Sequence, residues 1–408
     1  MAIHTMDAKG RERGHRRRNV TEVDVLVVGA GPAGSAAATC LAQGGASVLV
    51  VEKAEHPRPK ACAEYASPRI AEELAHLGLA DAWRATAVPL AGMDLHAGAR
   101  VSPIRYADAS GPRVAWGVDR RSFDAVLADC AVRAGAELRE HASLVSLLAD
   151  GRRIRGARVR HADSDRDEVV RADWVVGADG TRSTVSRLLG VDRAVRFPRR
   201  LGLVAHFSGI AALANHGEMH AGRGFYVGLA PTPGGELNVG MALPMDGPRP
   251  AAERFATAIA ALPAVASRLR GSERLTPIRG AAPIGHRVSD SAGAGWLLIG
   301  DAAGFVDPFT GEGIHRALRS ARAAAGSILA GGDVPAAYRD ERRRAFAAKS
   351  ALSWLVQGFL AVPPALEHVV GRLETRPAAA LRLGSALGDL RRATDALSPR
   401  ALVEVLAP

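Results

Sequence analysis

Cysteine, lysine and long apolar runs are scarce in this chain of 408 residues, and each shortage excludes certain kinds of protein. The three cysteines, Cys40, Cys62 and Cys130, are odd in number and lack metal-ligand spacing. We therefore expect no disulfide framework, no metal site and a reducing, cytoplasmic location. Apolar runs fall short of the roughly 18 residues of a membrane-spanning helix, so no such helix is predicted.

Positive charge comes almost entirely from arginine. Only four of the 53 basic residues are lysine, and the formal net charge is +11. Residues 1–20 contain six basic and two acidic residues, which predicts a flexible basic arm. The other charges are scattered, and arginine- and alanine-rich composition is typical of a GC-rich genome, so no nucleic-acid partner is predicted. With 48% hydrophobic residues, the chain fits a globular protein of two or three domains.

A strand, a glycine-rich turn, a helix and a second strand follow this arm. Residues 23–28 form a continuous β-branched apolar run, which predicts a strand buried on both faces. Residues 29–34 read Gly-Ala-Gly-Pro-Ala-Gly, a helix is predicted over 32–43, and 47–52 is the second strand. In this context a G-x-G-x-x-G segment indicates dinucleotide binding.

Each residue of the glycine-rich turn has a physical task in that interpretation. Gly29 permits the tight turn, Gly31 lets the backbone approach a pyrophosphate, and Gly34 lets the helix lie close to the sheet. The helix begins at Pro32 and Ala33, and its partial positive charge faces the phosphates.

Two later segments repeat the strand-and-turn pattern. Residues 174–183 read Trp-Val-Val-Gly-Ala-Asp-Gly-Thr-Arg-Ser, and residues 297–313 run from an apolar strand through Gly-Asp-Ala-Ala-Gly to Pro-Phe-Thr-Gly-Glu-Gly. In this order and spacing, the three segments resemble the fingerprints of FAD-dependent oxidoreductases of the para-hydroxybenzoate hydroxylase fold, over about residues 22–330. The resemblance implies an α/β fold with a Rossmann-type FAD-binding domain, an inserted antiparallel-sheet substrate domain and a helical C-terminal tail.

The FAD-binding domain of that fold is assembled from separate stretches of chain. The predicted boundaries are 1–20 for the arm, 20–90, 113–195 and 277–332 for the FAD-binding domain, 91–112 and 196–276 for the substrate domain, and 333–408 for the tail. Within the tail, residues 352–362 form an apolar helical stretch. This stretch either packs on the FAD-binding domain or, if exposed, makes peripheral contact with a membrane.

The ribose and phosphate side of the cofactor has three candidates besides the glycines. Glu52 ends the second strand, 23 positions after Gly29, where its carboxylate can accept hydrogen bonds from ribose hydroxyls. By resemblance, Arg120 lies near the FAD phosphates, and Arg121 is the competing candidate.

The flavin side is assigned by resemblance. Asp301 accepts a hydrogen bond from the ribityl chain, and the helix after it points its N-terminus at the flavin. Residues 308–313 lie against the isoalloxazine ring, where backbone N–H groups stabilise the charge of the reduced ring. Asp179 and Gly180 contact the cofactor and support NAD(P)H as reductant. The predicted cofactor-binding residues are Gly29, Gly31, Pro32, Ala33, Gly34, Glu52, Lys53, Arg58, Arg120, Asp179, Gly180, Gly300, Asp301, Pro308, Gly311, Gly313 and Ile314.

A narrower resemblance lies in residues 58–65, Arg-Pro-Lys-Ala-Cys-Ala-Glu-Tyr. This segment looks like the R-x-K-x-C-G-[GE] motif of the geranylgeranyl-reductase-like branch, with Ala63 in place of the usual glycine. Cys62 is either a reactive thiol beside the cofactor or a small packed side chain. Cys40 and Cys130 lie within predicted helices and are expected in the core.

The substrate side is less well specified. His206, Phe207, Tyr226 and Asn238 lie on predicted strands and are candidates, with Cys62, for the sheet face toward the flavin. No general base is assigned, since the flavin carries the difficult step.

Two reactions fit these features. The favoured one is an NAD(P)H-dependent monooxygenase that uses O₂, through a flavin hydroperoxide, to hydroxylate or epoxidise an apolar or aromatic secondary metabolite. The alternative is an ene reductase of the geranylgeranyl-reductase type, which passes hydride from reduced FAD to an isoprenoid double bond. Weaker alternatives are a flavin halogenase, whose G-W-x-W-x-I-P motif is missing, and a non-enzymatic basic binding module.

Overall fold

The computed structural model describes residues 3–5, 20–164, 167–208 and 215–407. Within these ranges the α-helices are α1 (Pro32–Gln43), α2 (Ile70–His76), α3 (Arg120–Arg133), α4 (Thr184–Leu188), α5 (Ala251–Ala260), α6 (Pro263–Arg268), α7 (Gly313–Ala330), α8 (Val334–Ala361), α9 (Pro363–Thr375), α10 (Pro377–Leu387), α11 (Ala393–Ala396) and α12 (Pro399–Leu406). They surround two large sheets, which together confirm the predicted α/β fold.

The first sheet contains the predicted dinucleotide-binding unit. Its strands lie in the order Ile3–Thr5, Ala142–Asp150, Arg153–His161, Asp167–Gly177, Val20–Val28, Val48–Val51 and Glu137–Arg139, with Trp296–Leu298 also paired to Asp167–Gly177 and Ala292–Gly293 beyond it. The pairs around Val20–Val28 are parallel. Residues 25–28 and 48–51 are buried because helices and loops cover both faces, as their continuous apolar sequence requires.

Helix α1 packs unusually close to this sheet. A Cβ on Gly34 would lie 1.7 Å from the carbonyl oxygen of Gly29, so only glycine fits at this crossing. Gly29 itself has a φ of +101°, a conformation that favours glycine. On the same side of the sheet lie Cys40 of α1, which is half-buried, and Cys130 of α3, which is buried. Burial raises the pKa of Cys40 to about 11, so this thiol is inert at neutral pH.

The second sheet carries the residues of the predicted substrate domain. Its order is Glu273–Arg274, Arg200–Ser208, Leu237–Pro244, Tyr226–Pro231, Gly217–Ala221, Gly92–Ala97, Arg100–Asp108 and Gly111–Arg113, and Arg279–Ala281 also pairs with Arg200–Ser208. The pairs are antiparallel except Gly217–Ala221 with Gly92–Ala97, which is parallel. Two small sheets complete the strands: Tyr65–Ala66, Ala115–Val118 and Ala87–Leu90 form one, and Asp192–Arg193 with Arg287–Val288 forms the other.

The C-terminal tail is helical and packs mainly against the second sheet. Within the predicted apolar stretch 352–362, Leu352 and Leu360 are buried, whereas Trp354 is 41% exposed. In the part of the chain that the structure covers, no single helix is long and apolar enough to cross a membrane. Helices α8 and α9 pass that length and composition test only as a pair, and they are bent by 115°.

The structure departs from the sequence expectations near the N-terminus. Residues 3–5 form a strand, so at least this part of the predicted basic arm is ordered against Ala142–Asp150, and residues 1–2 and 6–19 lie outside the described residues. Helices α5 and α6 follow each other closely, and they are separate because Pro263 starts a new helix.

Candidate functional site

A cavity of about 400 Å³ lies between the two large sheets. One wall is built at the carboxyl ends of the parallel strands, where Val28 and Val51 are the last strand residues. Ligands of open α/β sheets bind in this position. The opposite wall is the second sheet, covered by the segment 60–65.

Most of the predicted cofactor residues surround this cavity. All of them except Gly34 and Gly300 contribute to its wall. Gly34 serves the helix crossing, and the backbone N–H of Gly300 donates to the Ser320 hydroxyl at 2.8 Å. Arg120 lines the cavity and Arg121 does not, so of the two competing arginines only Arg120 is in position. Their individual contacts with FAD stay predictions.

The N-terminus of α1 opens into the cavity. Its cap residue is Gly31, no side chain caps the helix, and no acidic residue stands in the first turn. A Cβ on Gly31 would have only the Arg58 Nη2 atom nearby, at 3.6 Å. The free N–H groups and the arginine therefore form an electropositive place of the kind that binds a pyrophosphate.

Glu52 is fixed at the end of its strand. Its Oε2 accepts a hydrogen bond from the Ala30 N–H at 2.9 Å, and its Oε1 accepts one from the Ala54 N–H at 3.1 Å. Arg58 Nη2 lies 3.2 Å from the same Oε2. The carboxylate thus sits between the glycine turn and the cavity, as a ribose acceptor requires.

Asp179 has one carboxylate oxygen that receives no hydrogen bond from the described residues. Its Oδ2 accepts hydrogen bonds from the N–H groups of Thr184 at 2.6 Å and Val185 at 3.2 Å, at the start of α4. Its Oδ1 is buried and has no hydrogen-bond partner among the described residues. Buried acceptors are nearly always paired, so this atom fits a cofactor that donates a hydrogen bond to it. The unpaired Asp179 oxygen and the uncapped N-terminus of α1 are therefore two groups of this chain that fit FAD.

Opposite charges face each other across the cavity. Burial raises the pKa of Asp301, although Lys60 and Arg316 oppose this shift. Loss of water lowers the pKa of Lys60, and the charge of Arg120 lowers it further. The Arg120 guanidinium is already paired with Asp124, with Nε to Oδ1 at 2.8 Å and Nη2 to Oδ2 at 2.9 Å. Lys60 is therefore less neutralised than Arg120. It was not among the predicted cofactor-binding residues.

The helix expected directly after Asp301 begins further along the chain. Residues Gly300–Ala303 form one turn of 3₁₀ helix, and α7 starts only at Gly313. The intervening segment carries Pro308 and Gly311 to the cavity wall, where Gly311 adopts a φ of +66°. The start of α7 therefore reaches the cavity through this turn.

The substrate candidates divide between the two faces of the second sheet. Tyr226 lines the cavity, and His206 and Asn238 share its face but lie behind the segment 60–65. Phe207 follows His206 directly in one strand, so it points to the other face, where it stacks on Phe255 with ring centroids 6.2 Å apart. The structure therefore does not bring Phe207 to the cavity with Tyr226.

Glu64 connects the covering segment to the sheet, a role that the sequence analysis missed. Its Oε2 lies 2.7 Å from His206 Nε2 and accepts a hydrogen bond from Asn238 Nδ2 at 2.9 Å. Its Oε1 accepts from the Arg120 N–H at 3.1 Å. It has a φ of +56°, rare outside glycine. The sequence could have indicated this role, because the motif R-x-K-x-C-G-[GE] ends at Glu64.

Cys62 and Ala63 are positioned by this segment. Cys62 lines the cavity, its Sγ accepts a hydrogen bond from the Glu64 N–H at 3.3 Å, and its carbonyl accepts one from Asn238 Nδ2 at 3.0 Å. Ala63 lies so close to the sheet that a Cβ added to Gly240 would be 2.9 Å from the Cβ of Ala63. Gly240 therefore accommodates the alanine that replaces the usual glycine of the motif.

A second connection joins the sheet to the turn that precedes α7. Asp307 is buried, its Oδ2 lies 2.6 Å from Arg200 Nη1, and its Oδ1 accepts from the Tyr226 hydroxyl at 2.6 Å. The same Oδ1 accepts from the Phe309 N–H at 3.0 Å. Burial and this carboxylate raise the pKa of Tyr226 well above its usual value, so it stays protonated.

One group of potential metal ligands lies away from the cavity. His96, Glu218 and His220 place their ligand atoms within 4.8 Å of one another. The two imidazole rings are stacked, with centroids 4.1 Å apart, and the carboxylate of Glu218 is paired with Arg268. This arginine already neutralises the only acidic member of the group, and the expectation of no metal site stays a prediction.

Comparison with known proteins defines the class. The family model described as "FAD binding domain" matches residues 22–330. The chain belongs to this family and is an FAD-dependent oxidoreductase of the para-hydroxybenzoate hydroxylase fold. It is 32% identical over 326 residues to a menaquinone reductase of Mycolicibacterium smegmatis, covering 76% of this chain and 78% of that protein. It is 31% identical over 336 residues to a digeranylgeranylglycerophospholipid reductase of Methanosarcina mazei, covering 78% of each chain.

Solved structures agree on the fold. A geranylgeranyl bacteriochlorophyll reductase-like protein of Thermoplasma acidophilum superposes with a TM-score of 0.79 at 23% identity, covering 95% of this chain and 97% of that one. A flavin-dependent brominase gives 0.80 at 23% identity, covering 94% and 99%. The sequence relatives and the motif at residues 58–65 together place the chain in the geranylgeranyl-reductase-like branch.

Proposed function

We propose that this oxidoreductase is an ene reductase, which adds two hydrogen atoms across a carbon–carbon double bond of an isoprenoid chain. The sequence analysis favoured a monooxygenase and kept this reaction as its alternative. The two relatives described above are both named as reductases, which supports the alternative. Their names include a menaquinone and a digeranylgeranyl lipid, and both support a polyprenyl substrate here.

The observation that carries the proposal is the apolar wall opposite the cofactor residues. It is formed by side chains without hydrogen-bonding groups from both the second sheet and the turn before α7. These side chains are Met93, Val204, Met219 and Phe309, joined by Ile284 from the loop after the strand Arg279–Ala281. An isoprenoid chain offers only carbon and hydrogen, so such a wall binds it by burial and dispersion alone. Substrates rich in polar groups would lose hydrogen bonds here.

Reduction of a double bond needs a hydride on one carbon and a proton on the other. FAD in its reduced form supplies the hydride when bound, and NAD(P)H is the reductant that we propose for it. The proton must come from this chain or from water. Tyr65 and Tyr226 are poor sources, since burial raises the pKa of both hydroxyls. Cys62 lines the cavity beside the apolar wall and carries a proton at its Sγ atom.

Cys62 is suited to give up a proton at its Sγ atom. This sulfur accepts a hydrogen bond from the Glu64 N–H, so its own S–H is free to point into the cavity. The Arg120 guanidinium interacts with the same sulfur. We therefore propose Cys62 as the proton donor.

The experiment that tests this function is product analysis under two atmospheres. FAD-loaded enzyme, reduced with dithionite and freed of excess reductant, is mixed with digeranylgeranylglycerophospholipid in the absence of O₂. We expect a product heavier by two hydrogen atoms in mass spectrometry. A product that forms only in air and is heavier by one oxygen atom would instead establish the monooxygenase.

A further inference from the structure

A second cavity, of about 450 Å³, adjoins the first one. Phe305 lines both, so a single side chain stands between them. The second cavity is built from residues 195–198, 286–288 and 303–306 together with parts of α7 and α8. Of these residues, only Phe305 also lines the first cavity.

The charge of this cavity is one-sided. Arg287, Arg316 and Arg342 line it, and no aspartate or glutamate among the described residues does. Arg316 is buried, and Glu312 Oε1 is 3.6 Å from its Nη1. The same carboxylate also faces Lys349, whose Nζ lies 3.7 Å from Oε2. Lys349 is also paired with Asp389, whose Oδ1 lies 2.8 Å from its Nζ, so the excess positive charge of the cavity rests on Arg287 and Arg342.

Arg342 shows this excess most clearly. Its guanidinium donates to the Ala303 carbonyl, and within the described ranges no carboxylate lies within 4.0 Å of it. It shares the ring of Phe346 with Arg316, at 5.7 and 4.7 Å from the centroid. Burial lowers the pKa of Arg342, and the neighbouring Arg316 contributes. Such a group is costly without a counter-ion, and an anion in the cavity would remove that cost.

The mouth of the cavity is apolar and aromatic. Phe197 is 51% exposed and Trp354 is 41% exposed, and their rings stack with centroids 6.5 Å apart. A ligand that matches both parts carries concentrated negative charge on an apolar or aromatic body. Guanidinium groups bind phosphate oxygens through paired hydrogen bonds, which favours phosphate over a single carboxylate.

We propose that the second cavity is a binding site for the phosphate or diphosphate group of a phosphorylated ligand. Two sources share this chemistry: a nicotinamide dinucleotide, which would supply the reducing equivalents, and a prenyl diphosphate or phospholipid, which would carry the double bond. The arginines of the second cavity define this site. It does not depend on which reaction takes place in the first cavity.

The test is calorimetric titration of the FAD-loaded full chain with three probes: inorganic pyrophosphate, NADP⁺ and geranylgeranyl diphosphate. The test variants are Arg342→Gln and Arg287→Gln. The matched control is Arg343→Gln, which changes the next residue of α8, where the side chain is 70% exposed and paired with Asp340. We expect the test variants to weaken pyrophosphate binding about tenfold and the control to leave it unchanged.

The two organic probes identify the source. A tenfold loss for NADP⁺ assigns the cavity to the dinucleotide, and the same loss for geranylgeranyl diphosphate assigns it to the substrate head group. Arg287 is exposed, so its variant is expected to fold even if Arg342→Gln does not. Absence of pyrophosphate binding at millimolar concentration, or equal binding in test and control variants, would overturn the proposal.

Discussion

The Tyr226 hydroxyl donates a hydrogen bond of 2.6 Å to Asp307 Oδ1, and this bond joins the second sheet to the turn before α7. Tyr226 lines the apolar wall, whereas Asp307 directly precedes the segment assigned to the flavin. Arg200, from a third stretch of chain, neutralises the same carboxylate. Three buried side chains therefore set the distance between the apolar wall of the cavity and the turn before α7.

Removal of Asp307 should be costly for this reason. In Asp307→Ala the buried Arg200 loses its counter-ion and Tyr226 loses its acceptor, so we expect unfolding in urea to become easier by about 3–5 kcal/mol. Asp340→Ala, at an exposed aspartate paired with Arg343, is the matched control and should change stability by less than about 1 kcal/mol. Equal stability of the two variants would show that the connection contributes nothing.

Two glycines of the first motif should separate packing from cofactor binding. Gly34→Ala places a Cβ 1.7 Å from the Gly29 oxygen, so we expect a loss of about 3 kcal/mol or more in unfolding free energy. Gly31→Ala meets only Arg58 at 3.6 Å and should fold normally. Its methyl group would nevertheless crowd a pyrophosphate, so FAD should bind more weakly, which fluorescence titration of the apoprotein measures. Wild-type FAD affinity in Gly31→Ala would contradict the placement of the pyrophosphate.

The pair of His206 and Glu64 should make stability depend on pH. The hydrogen bond to the Glu64 carboxylate raises the pKa of His206 above its ordinary value of 6.5. A raised pKa in the folded state stabilises the protein fully below about pH 6.5, and this contribution is lost as pH rises through the folded-state pKa. The stability difference between wild type and His206→Gln should therefore shrink as pH rises from about 5 to 9.

Urea unfolding at a series of pH values measures that difference. His368→Gln, at an exposed histidine of α9, is the control and should show no such trend. A difference for His206→Gln that grows with pH would mean that the histidine is held in its neutral form.

The role of Cys62 is open to a direct test of rate. In Cys62→Ala the proton donor is gone, so kcat for double-bond reduction should fall about 100-fold, with FAD affinity unchanged. Cys62→Ser, which restores an exchangeable proton with a higher pKa, should recover part of the rate and shift the pH profile of kcat upward. Cys40→Ala is the control, since Cys40 lies in α1 away from the cavity wall. A wild-type rate in Cys62→Ala would assign the proton to water.

The parts of the fold that depend on neighbouring residues were predictable. The apolar run at 23–28, the glycines after it and helix α1 follow each other within one βαβ unit, and the structure places them as expected. Motifs of this kind act through local backbone geometry, so the sequence carries most of the information. For the same reason, most of the predicted cofactor residues lie on the cavity wall, whereas of the substrate candidates only Cys62 and Tyr226 do.

The network around Glu64 depends on tertiary structure instead. His206 and Asn238 were expected to face the flavin directly, but the segment carrying Glu64 lies between them and the cavity. Strand alternation could have separated His206 from Phe207, because consecutive strand residues point to opposite faces. Nothing in the sequence links Arg200 to Asp307, which are 107 positions apart. Such contacts arise only when the two sheets are packed together.

The central claim is that the enzyme reduces its substrate without oxygen. FAD-loaded protein, reduced with dithionite and freed of excess reductant, is mixed anaerobically with a polyprenyl substrate while the flavin absorbance is recorded. We expect the oxidised flavin spectrum to return in the absence of O₂, at a rate that rises with substrate concentration. Flavin that stays reduced with every polyprenyl substrate, and reoxidises only when O₂ is admitted, would contradict it.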